Sequence, residues 1–175
     1  KIAQKEQTIA YVPQSEGIDI NFPVSVWDVV MMGRYGSMNI LRNPRESDIQ
    51  AVKNAIERVD LIEFANTPIG NLSGGQRKRT FIARAIAQRA SVLLLDEPFA
   101  ALDFELKNEI LDLLLKVSKK NNLSVILVSH DPRDVQQLGG DVVLFSENGR
   151  TDFYKNKSFW SKFSKKLLSS KVYDK

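Results

Sequence analysis

The amino-acid sequence predicts an α/β domain, in which a parallel sheet carries helices on both faces. Continuous apolar runs of strand length occur at residues 92–95 and 125–128, and the stretch between them repeats apolar residues at helical spacing. Two buried strands joined by a helix are typical of a parallel sheet. The segment from about residue 22 to 90 is mainly helical instead, which predicts a helical subdomain inserted between strands.

Two sequence patterns predict where helices of this subdomain begin. Asn43 followed by Pro44 and by Glu46, three residues after the cap, is typical of a helix N-terminus, as is Ser73 followed three residues later by Gln76. We expect the first helix to bury the apolar residues that recur at helical spacing: Ile49, Val52, Ile56 and Val59. The second helix would run to about residue 89.

Further strands are predicted near both ends of the chain. The run at residues 8–12 predicts a strand that ends at Gln14, and the run at 142–145 predicts one that ends in a turn at Asn148-Gly149. We therefore assign residues 1–150 to one domain.

The remaining residues, 151–175, form a basic tail. It contains seven lysines and two aspartates, while the net charge of the whole chain is +4. Residues 1–150 are therefore nearly neutral. A lysine-rich segment is most often a solvated surface, attraction to a membrane surface being the other interpretation, and nothing points to a nucleic-acid partner. Four apolar residues predict a small amphipathic helix on the body: Phe159, Trp160, Phe163 and Leu167.

The composition fits a soluble domain. Hydrophobic residues make up 43% and charged residues 26% of the chain, and no run approaches the roughly 20 apolar residues of a membrane-spanning helix. No signal peptide is recognisable, so we expect a cytoplasmic protein. The absence of cysteine excludes disulfides and thiolate metal sites.

Polar residues follow three of the predicted strands, where open parallel sheets carry their working groups. Gln14 follows the first strand, Asp96-Glu97 the second and His130 the third. A carboxylate pair in this position can hold Mg²⁺ and orient a water molecule, although acidic residues also end strands without any catalytic role. A single histidine after a strand can likewise be purely structural.

The segment Ser73-Gly74-Gly75-Gln76 opens a helix with two glycines. Glycines there expose backbone N–H groups where the helix dipole favours an anion, which predicts contact with phosphate. The alternative is an ordinary helix capped by Ser73.

The pentapeptide Leu72-Ser73-Gly74-Gly75-Gln76 is identical to the signature motif of ABC (ATP-binding cassette) ATPases. Other segments resemble motifs of that family in its order and spacing: Gln14 the Q-loop glutamine, residues 92–97 with Pro98 the Walker B strand, Ala101-Leu102-Asp103 the D-loop, and His130 the switch histidine. The resemblance covers residues 8–145 and implies a P-loop NTPase-like ABC ATPase domain.

The resemblance implies a dimer of two ATPase subunits that encloses two ATP molecules with Mg²⁺. Within one subunit, Asp96 and Gln14 would serve Mg²⁺, Glu97 would be the general base or orient the water, and His130 would contact the γ-phosphate side. The segment Ser73-Gly74-Gly75-Gln76 would reach the partner's nucleotide, and Asp103 would link the two sites across the interface.

One motif of the family has no counterpart here. The Walker A loop requires Gly-Lys followed by Ser or Thr, and none of the nine glycines precedes a lysine. In the family this loop precedes the Q-loop, so the chain resembles a domain whose first strands are missing. We expect the fragment alone to be an inactive ATPase.

The segment at residues 22–36 resembles the ATPases of manganese, zinc and iron importers. Its Met and aromatic residues could dock a transmembrane permease, which a solute-binding protein would supply with cargo, or could simply pack the subdomain. The resemblance implies a subunit at the cytoplasmic face of the membrane that energises metal uptake. Two alternatives are a soluble ABC protein that acts as a nucleotide-dependent clamp and a non-hydrolysing partner subunit.

Overall fold

The structure, a computed structural model, describes residues 9–14, 23–38, 43–100, 102–146, 148–155 and 159. The chain folds into two compact units, Lys1–Ser129 and His130–Lys175. Some predicted features lie outside the described residues: Ala101, and Trp160, Phe163 and Leu167 of the tail. In the described ranges, no helix has both the length and the hydropathy that crossing a membrane requires.

Three parallel strands form the sheet of the first unit, in the order β1-β2-β3. Their bounds are Ile9–Val12 for β1, Val92–Asp96 for β2 and Ser124–Val128 for β3. In the ladder, Leu94 lies between Tyr11 and Ile126. The predicted parallel pairing of β2 with β3 is therefore confirmed, whereas the predicted burial of β3 is wrong, since its residues are half-buried or exposed.

The described part of the chain between β1 and β2 is mainly helical. It contains α1 at Val26–Met32, α2 at Glu46–Arg58 and α3 at Gly74–Ala87, which pack against one another. Short 3-10 turns connect them: Tyr35–Ser37, Ile62–Phe64 and Ile69–Asn71. This is the helical subdomain that the sequence predicts.

The start of α2 differs from the prediction, which placed the helix cap at Asn43. The cap is Arg45, whose backbone is extended at φ −85° and ψ 164°. Its N–H donates a hydrogen bond of 3.1 Å to Asp48 Oδ2, so Asp48 rather than Glu46 closes the first turn.

The buried face of α2 also differs in one residue from the prediction. Val52, Ile56 and Val59 are fully buried, as expected, whereas Ile49 is 36% exposed. Asp48 takes a place in the interior beside them at 4% exposed. The helix is therefore rotated so that its capping carboxylate, not its first apolar residue, faces the neighbouring helices.

Asp48 forms a buried ion pair with Arg34, the second residue after α1. Arg34 Nε and Nη2 each lie 3.0 Å from Asp48 Oδ1, and Arg34 Nη1 donates a 2.8 Å hydrogen bond to the carbonyl of Ala87 at the end of α3. The Arg45 amide holds the pKa of Asp48 below its usual range, burial opposes this, and the Arg34 charge adds to the lowering. One ion pair thus joins all three helices of the subdomain.

We expect Asp48→Asn to lower the free energy of unfolding by roughly 3 kcal/mol, because it leaves the Arg34 charge buried without a counter-ion. Urea unfolding at neutral pH measures this. A carboxylate whose pKa is lowered by folding stabilises the protein at pH values above its unfolded pKa of about 4. The protein loses this stabilisation as the pH falls through the pKa of the folded state. The parent should therefore lose stability in acid more steeply than the variant. Asp112→Asn, at an exposed position in the chain, is the matched control, and an equal loss in both variants would contradict the prediction.

The crossover between β2 and β3 is α4, Phe104–Asn121. The helix ends at Asn122, which adopts a left-handed conformation with φ 51°. Its apolar stripe is buried at the predicted residues: Ile110, Leu113, Leu114 and Val117.

The two faces of the sheet differ in their cover. Helices α3 and α4 contact each other and the sheet, and the strand residues on one face are buried: Ala10, Val12, Leu93 and Leu95. The opposite face carries apolar residues that are 47–63% exposed: Ile9, Tyr11, Ile126 and Val128. Parallel sheets are normally buried on both faces. The prediction of helices on both faces therefore holds for one face of the described sheet.

The second unit contains a short helix and a hairpin. Helix α5 is Pro132–Leu138, and β4, Val142–Phe145, pairs antiparallel with β5, Thr151–Tyr154. Gly149 lies in the turn with φ 76°, a conformation that glycine adopts without strain. The turn at this position is as predicted, and the expected boundary between domain and tail at residue 150 falls within the hairpin.

Candidate functional site

The carboxyl ends of β1 and β2 lie side by side and carry three of the predicted site residues. Val12 pairs with Leu95 in the ladder, so Gln14 and the pair Asp96-Glu97 extend from the same edge of the sheet. Gln14 is exposed, and both carboxylate residues are half-buried. Ligands of open parallel sheets bind at this edge.

Tyr11 is a partner of Asp96 that the sequence analysis missed. Its hydroxyl donates a hydrogen bond of 3.2 Å to Asp96 Oδ2. Desolvation raises the pKa of Tyr11, and the hydrogen bond and the negative charge of Asp96 raise it further. Alternation along β1 places Tyr11 on one face of the sheet, but only the register of β1 against β2 brings it to Asp96.

Glu97 stands at a strained turn directly after β2. Its φ is 44°, in the left-handed region, which costs a residue other than glycine roughly 1 kcal/mol. The Glu97 amide donates a 3.0 Å hydrogen bond to the carbonyl of Val128 at the end of β3. The chain therefore turns sharply at Glu97 while the residue stays fixed to the sheet edge.

The N-terminus of α3 has the predicted capping box. Ser73 Oγ accepts a 3.2 Å hydrogen bond from the Gln76 amide, and Gln76 Oε1 accepts a 2.9 Å hydrogen bond from the Ser73 amide. The side chain of Gln76 is thus used by the helix itself. The N–H groups of Gly74 and Gly75 belong to the first turn and have no acceptor within the helix. Gly74 is half-buried and Gly75 is buried.

Asp103 caps α4 in the same way. Its Oδ1 accepts a 2.8 Å hydrogen bond from the Leu106 amide, and the residue is exposed. One carboxylate oxygen of this predicted interface residue therefore holds its own helix.

The signature segment and the sheet edge do not form one site within the subunit. Gln88 donates to the carbonyl of Ile9 and Arg84 to that of Tyr11, so α3 runs opposite to β1. Ser73 lies eleven residues before Arg84, roughly 16 Å along the helix. Leu94 of β2 pairs with Tyr11, and Asp96 lies two residues, about 7 Å, further along β2. The N-terminus of α3 thus projects past the carboxylates by roughly 10 Å.

His130 follows β3 after Ser129 and opens the second unit. Its side chain is exposed. The structure thus gives its place in the chain, directly after the strand as predicted, and no position relative to Asp96 and Glu97.

Two cavities of the first unit lie away from these residues. One of about 300 Å³ has Asn54, Arg58 and Arg89 in its wall. The other is a polar groove of about 670 Å³ whose wall includes Arg79 and Glu109. Arg79 Nη2 lies 2.8 Å from Glu109 Oε2. Neither is lined by a predicted site residue.

The fold and the site define an α/β domain with a helical insertion that presents a glycine-rich helix N-terminus. A family model described as ABC transporter matches residues 1–100, and the chain belongs to that family. Its fold is the ABC ATPase fold, of the P-loop NTPase class. The family and the fold class predicted from the sequence are therefore confirmed.

Two similar proteins are metal transport proteins. The chain is 44% identical over 144 residues to the manganese transport system ATP-binding protein MntA of Synechocystis sp., covering 82% of this chain and 55% of MntA. It is 48% identical over 145 residues to the chelated iron transport system membrane protein YfeB of Yersinia pestis, covering 83% of this chain and 49% of YfeB. The chain thus spans about half the length of these relatives.

The fold also matches a solved transporter. A metal-chelate type ABC transporter in an inward-facing conformation superimposes with a TM-score of 0.80 at 33% identity, covering 86% of this chain and 60% of the other.

Proposed function

We propose that the chain is part of the ATP-hydrolysing subunit of an ABC importer that takes up a divalent metal, with manganese the first choice and zinc or chelated iron next. The observation that carries the proposal is the similarity of more than four-fifths of the chain to a manganese and a chelated iron transport protein. The capped signature helix and the Asp96-Glu97 pair at the sheet edge supply the chemistry of an ATPase.

The residues of the chain fit part of an ATP site. The free N–H groups of Gly74 and Gly75 suit phosphate oxygens, and Asp96 suits Mg²⁺ held through water, with Gln14 beside it. Bound Mg²⁺ supplies charge neutralisation for the transferred phosphoryl group. Glu97 accepts a proton from the attacking water or orients it, and His130 contacts the γ-phosphate side. No Gly-Lys pair is present to hold the β- and γ-phosphates.

The distance between the two groups of site residues supports a dimer. Ser73 projects roughly 10 Å past Asp96 in one subunit, so a second copy facing the first would bring its signature segment towards the carboxylates. Two copies related by a two-fold axis would form two equal sites. The second ATPase subunit would therefore receive the Ser73-Gly74-Gly75-Gln76 segment, with Asp103 at the interface.

The transmembrane permease is the second partner in the proposal. Helix α1 presents Met32 and, just after it, Tyr35, each 37% exposed, while Val26 and Val29 are fully buried in the subdomain. Exposed methionine and aromatic side chains are adaptable anchors for a partner helix. The subunit would act at the cytoplasmic face of the membrane and meet the solute-binding protein only indirectly.

The helical insertion favours a transporter over a nucleotide-dependent clamp. Clamp proteins of the family carry long coiled coils in this part of the chain, whereas α1 has 7 residues and α2 has 13. A non-hydrolysing partner subunit is supported by one observation, the absence of a Gly-Lys pair.

Cargo is tested by deleting the gene and measuring cellular uptake of manganese, zinc and iron under limitation of each. We expect a defect in manganese uptake that the parental gene restores and a gene carrying Glu97→Gln does not. Restoration by a Glu105→Gln gene, changed at an exposed glutamate of α4, is the matched control. Unchanged uptake of all three metals, with a defect for an organic solute, would refute metal transport and leave the ATPase assignment intact.

A further inference from the structure

The two glycines of the signature segment have different surroundings. A Cβ atom on Gly75 would overlap Leu106 Cδ1 and lie 3.0 Å from Leu106 Cδ2 and Cγ. A Cβ atom on Gly74 would lie 3.8 Å from Leu102 Cδ2, an ordinary van der Waals contact. A methyl group on Gly75 would therefore displace the Leu106 side chain, whereas the space around Gly74 would accept one.

Leu106 touches the two predicted interface elements at once. Its side chain fills the space beside Gly75 at the start of α3, and its amide donates the 2.8 Å hydrogen bond to Asp103 Oδ1. The same residue therefore contacts Gly75 through its side chain and Asp103 through its backbone.

The two helices are fixed to each other at a second point one turn further on. Arg79, four residues after Gly75, pairs with Glu109, three residues after Leu106, at 2.8 Å between Nη2 and Oε2. The contacts advance in the same direction along both helices, so their N-termini lie side by side. The Arg79 side chain is 18% exposed, which shields the pair in part from solvent.

We propose that Leu106 is a positioning residue that couples the N-terminus of α3 to Asp103, so that the signature segment and the Asp103 cap move as one unit. Its functional consequence rests on the proposed function, in which the signature segment and Asp103 both face the partner subunit. When one of them moves, Leu106 moves the other with it. The contact itself lies within a single subunit.

The first test uses the 175-residue chain with Gly75→Ala, Leu106→Ala and both changes together, and Gly74→Ala as the matched control. Alanine at position 75 displaces the Leu106 side chain, so we expect the Leu106 amide to exchange about fivefold faster by NMR, the effect of a weakened helix cap. Gly74→Ala should leave this exchange unchanged. Because Leu106→Ala removes the overlap, the double variant should be more stable than the sum of the single effects predicts.

An unchanged Leu106 exchange rate in Gly75→Ala, or strictly additive unfolding free energies, would overturn the proposal. If Gly75→Ala does not fold, the double variant decides: a folded double variant supports the contact, and failure of both overturns it.

The second test measures ATP-driven dimerisation by light scattering, in a longer protein that also carries a Walker A segment. We expect Leu106→Ala alone to reduce the dimer, because it removes the side chain that couples the signature segment to Asp103. A Leu106→Ala variant that dimerises with ATP as the parent does would overturn the proposed coupling. If the parent itself does not dimerise with ATP, the proposed function fails, and the exchange and stability results still decide the coupling.

Discussion

The 175-residue chain is expected to release no phosphate from ATP above background in the presence of Mg²⁺. Phosphoryl transfer depends on positioning and on charge stabilisation, and both require donors around the β- and γ-phosphates. In P-loop proteins these donors are the backbone cradle and lysine of the Gly-Lys motif, which none of the nine glycines here provides. The groups at the carboxyl edge of β1 and β2 would then act on a nucleotide that nothing holds in place.

A phosphate-release assay with and without Mg²⁺ measures this expectation. The control is a longer protein that includes the segment encoded upstream of Lys1. It serves as a control if this segment contains Gly-Lys-Ser or Gly-Lys-Thr in frame. We expect activity in the longer protein only. Robust Mg²⁺-dependent turnover by the 175-residue chain would show that the prediction is wrong. Upstream sequence without the motif would favour the non-hydrolysing partner subunit.

Features that depend on local sequence could be predicted. The capping box of Ser73 and Gln76 needs only two side chains three residues apart, and it forms as predicted. The strands and the buried stripe of α4 follow from hydrophobic patterning. The burial of β3 did not follow from it, since the residues of this strand are half-buried or exposed.

Features that depend on register or on tertiary contact could not be predicted. Asn43 and Pro44 form an acceptable helix start, but the Arg34 ion pair and the Arg45 amide select Asp48 for the first turn. Likewise, Tyr11 meets Asp96 only because of the register of two strands that are some eighty residues apart in the chain.

Some features of the site residues likewise follow from local sequence, and others depend on tertiary contact. The sequence identified the signature segment and assigned its glycines to phosphate, because two glycines at a helix N-terminus expose N–H groups. It could not separate Gly74 from Gly75, since the side chain that fills the space beside Gly75 belongs to Leu106. Nor could it predict the strained φ of 44° at Glu97, because glutamate at that position has no local preference for the left-handed region.

The last prediction concerns Glu97→Gln in the longer protein, where we expect nucleotide binding to persist and turnover to fall by about 10²- to 10⁴-fold, or roughly 3 to 5 kcal/mol of barrier. Glutamine has nearly the shape of glutamate but cannot accept a proton. The Glu97 contact with Val128 uses the backbone amide, so the substitution leaves it in place. The loss should therefore come from the side-chain chemistry rather than from a rearranged sheet edge.

Steady-state hydrolysis at saturating ATP measures the turnover, and titration with ATP in the absence of hydrolysis measures binding. Glu105→Gln makes the same chemical change at an exposed residue in the first turn of α4 and should keep parental turnover. If Glu97→Gln lowers turnover by less than about fivefold, Glu97 is not the general base. If it abolishes binding as well, the carboxylate contributes to holding the nucleotide rather than to the attack of water. Normal binding with lost turnover is the one combination that assigns the proton-accepting role to Glu97.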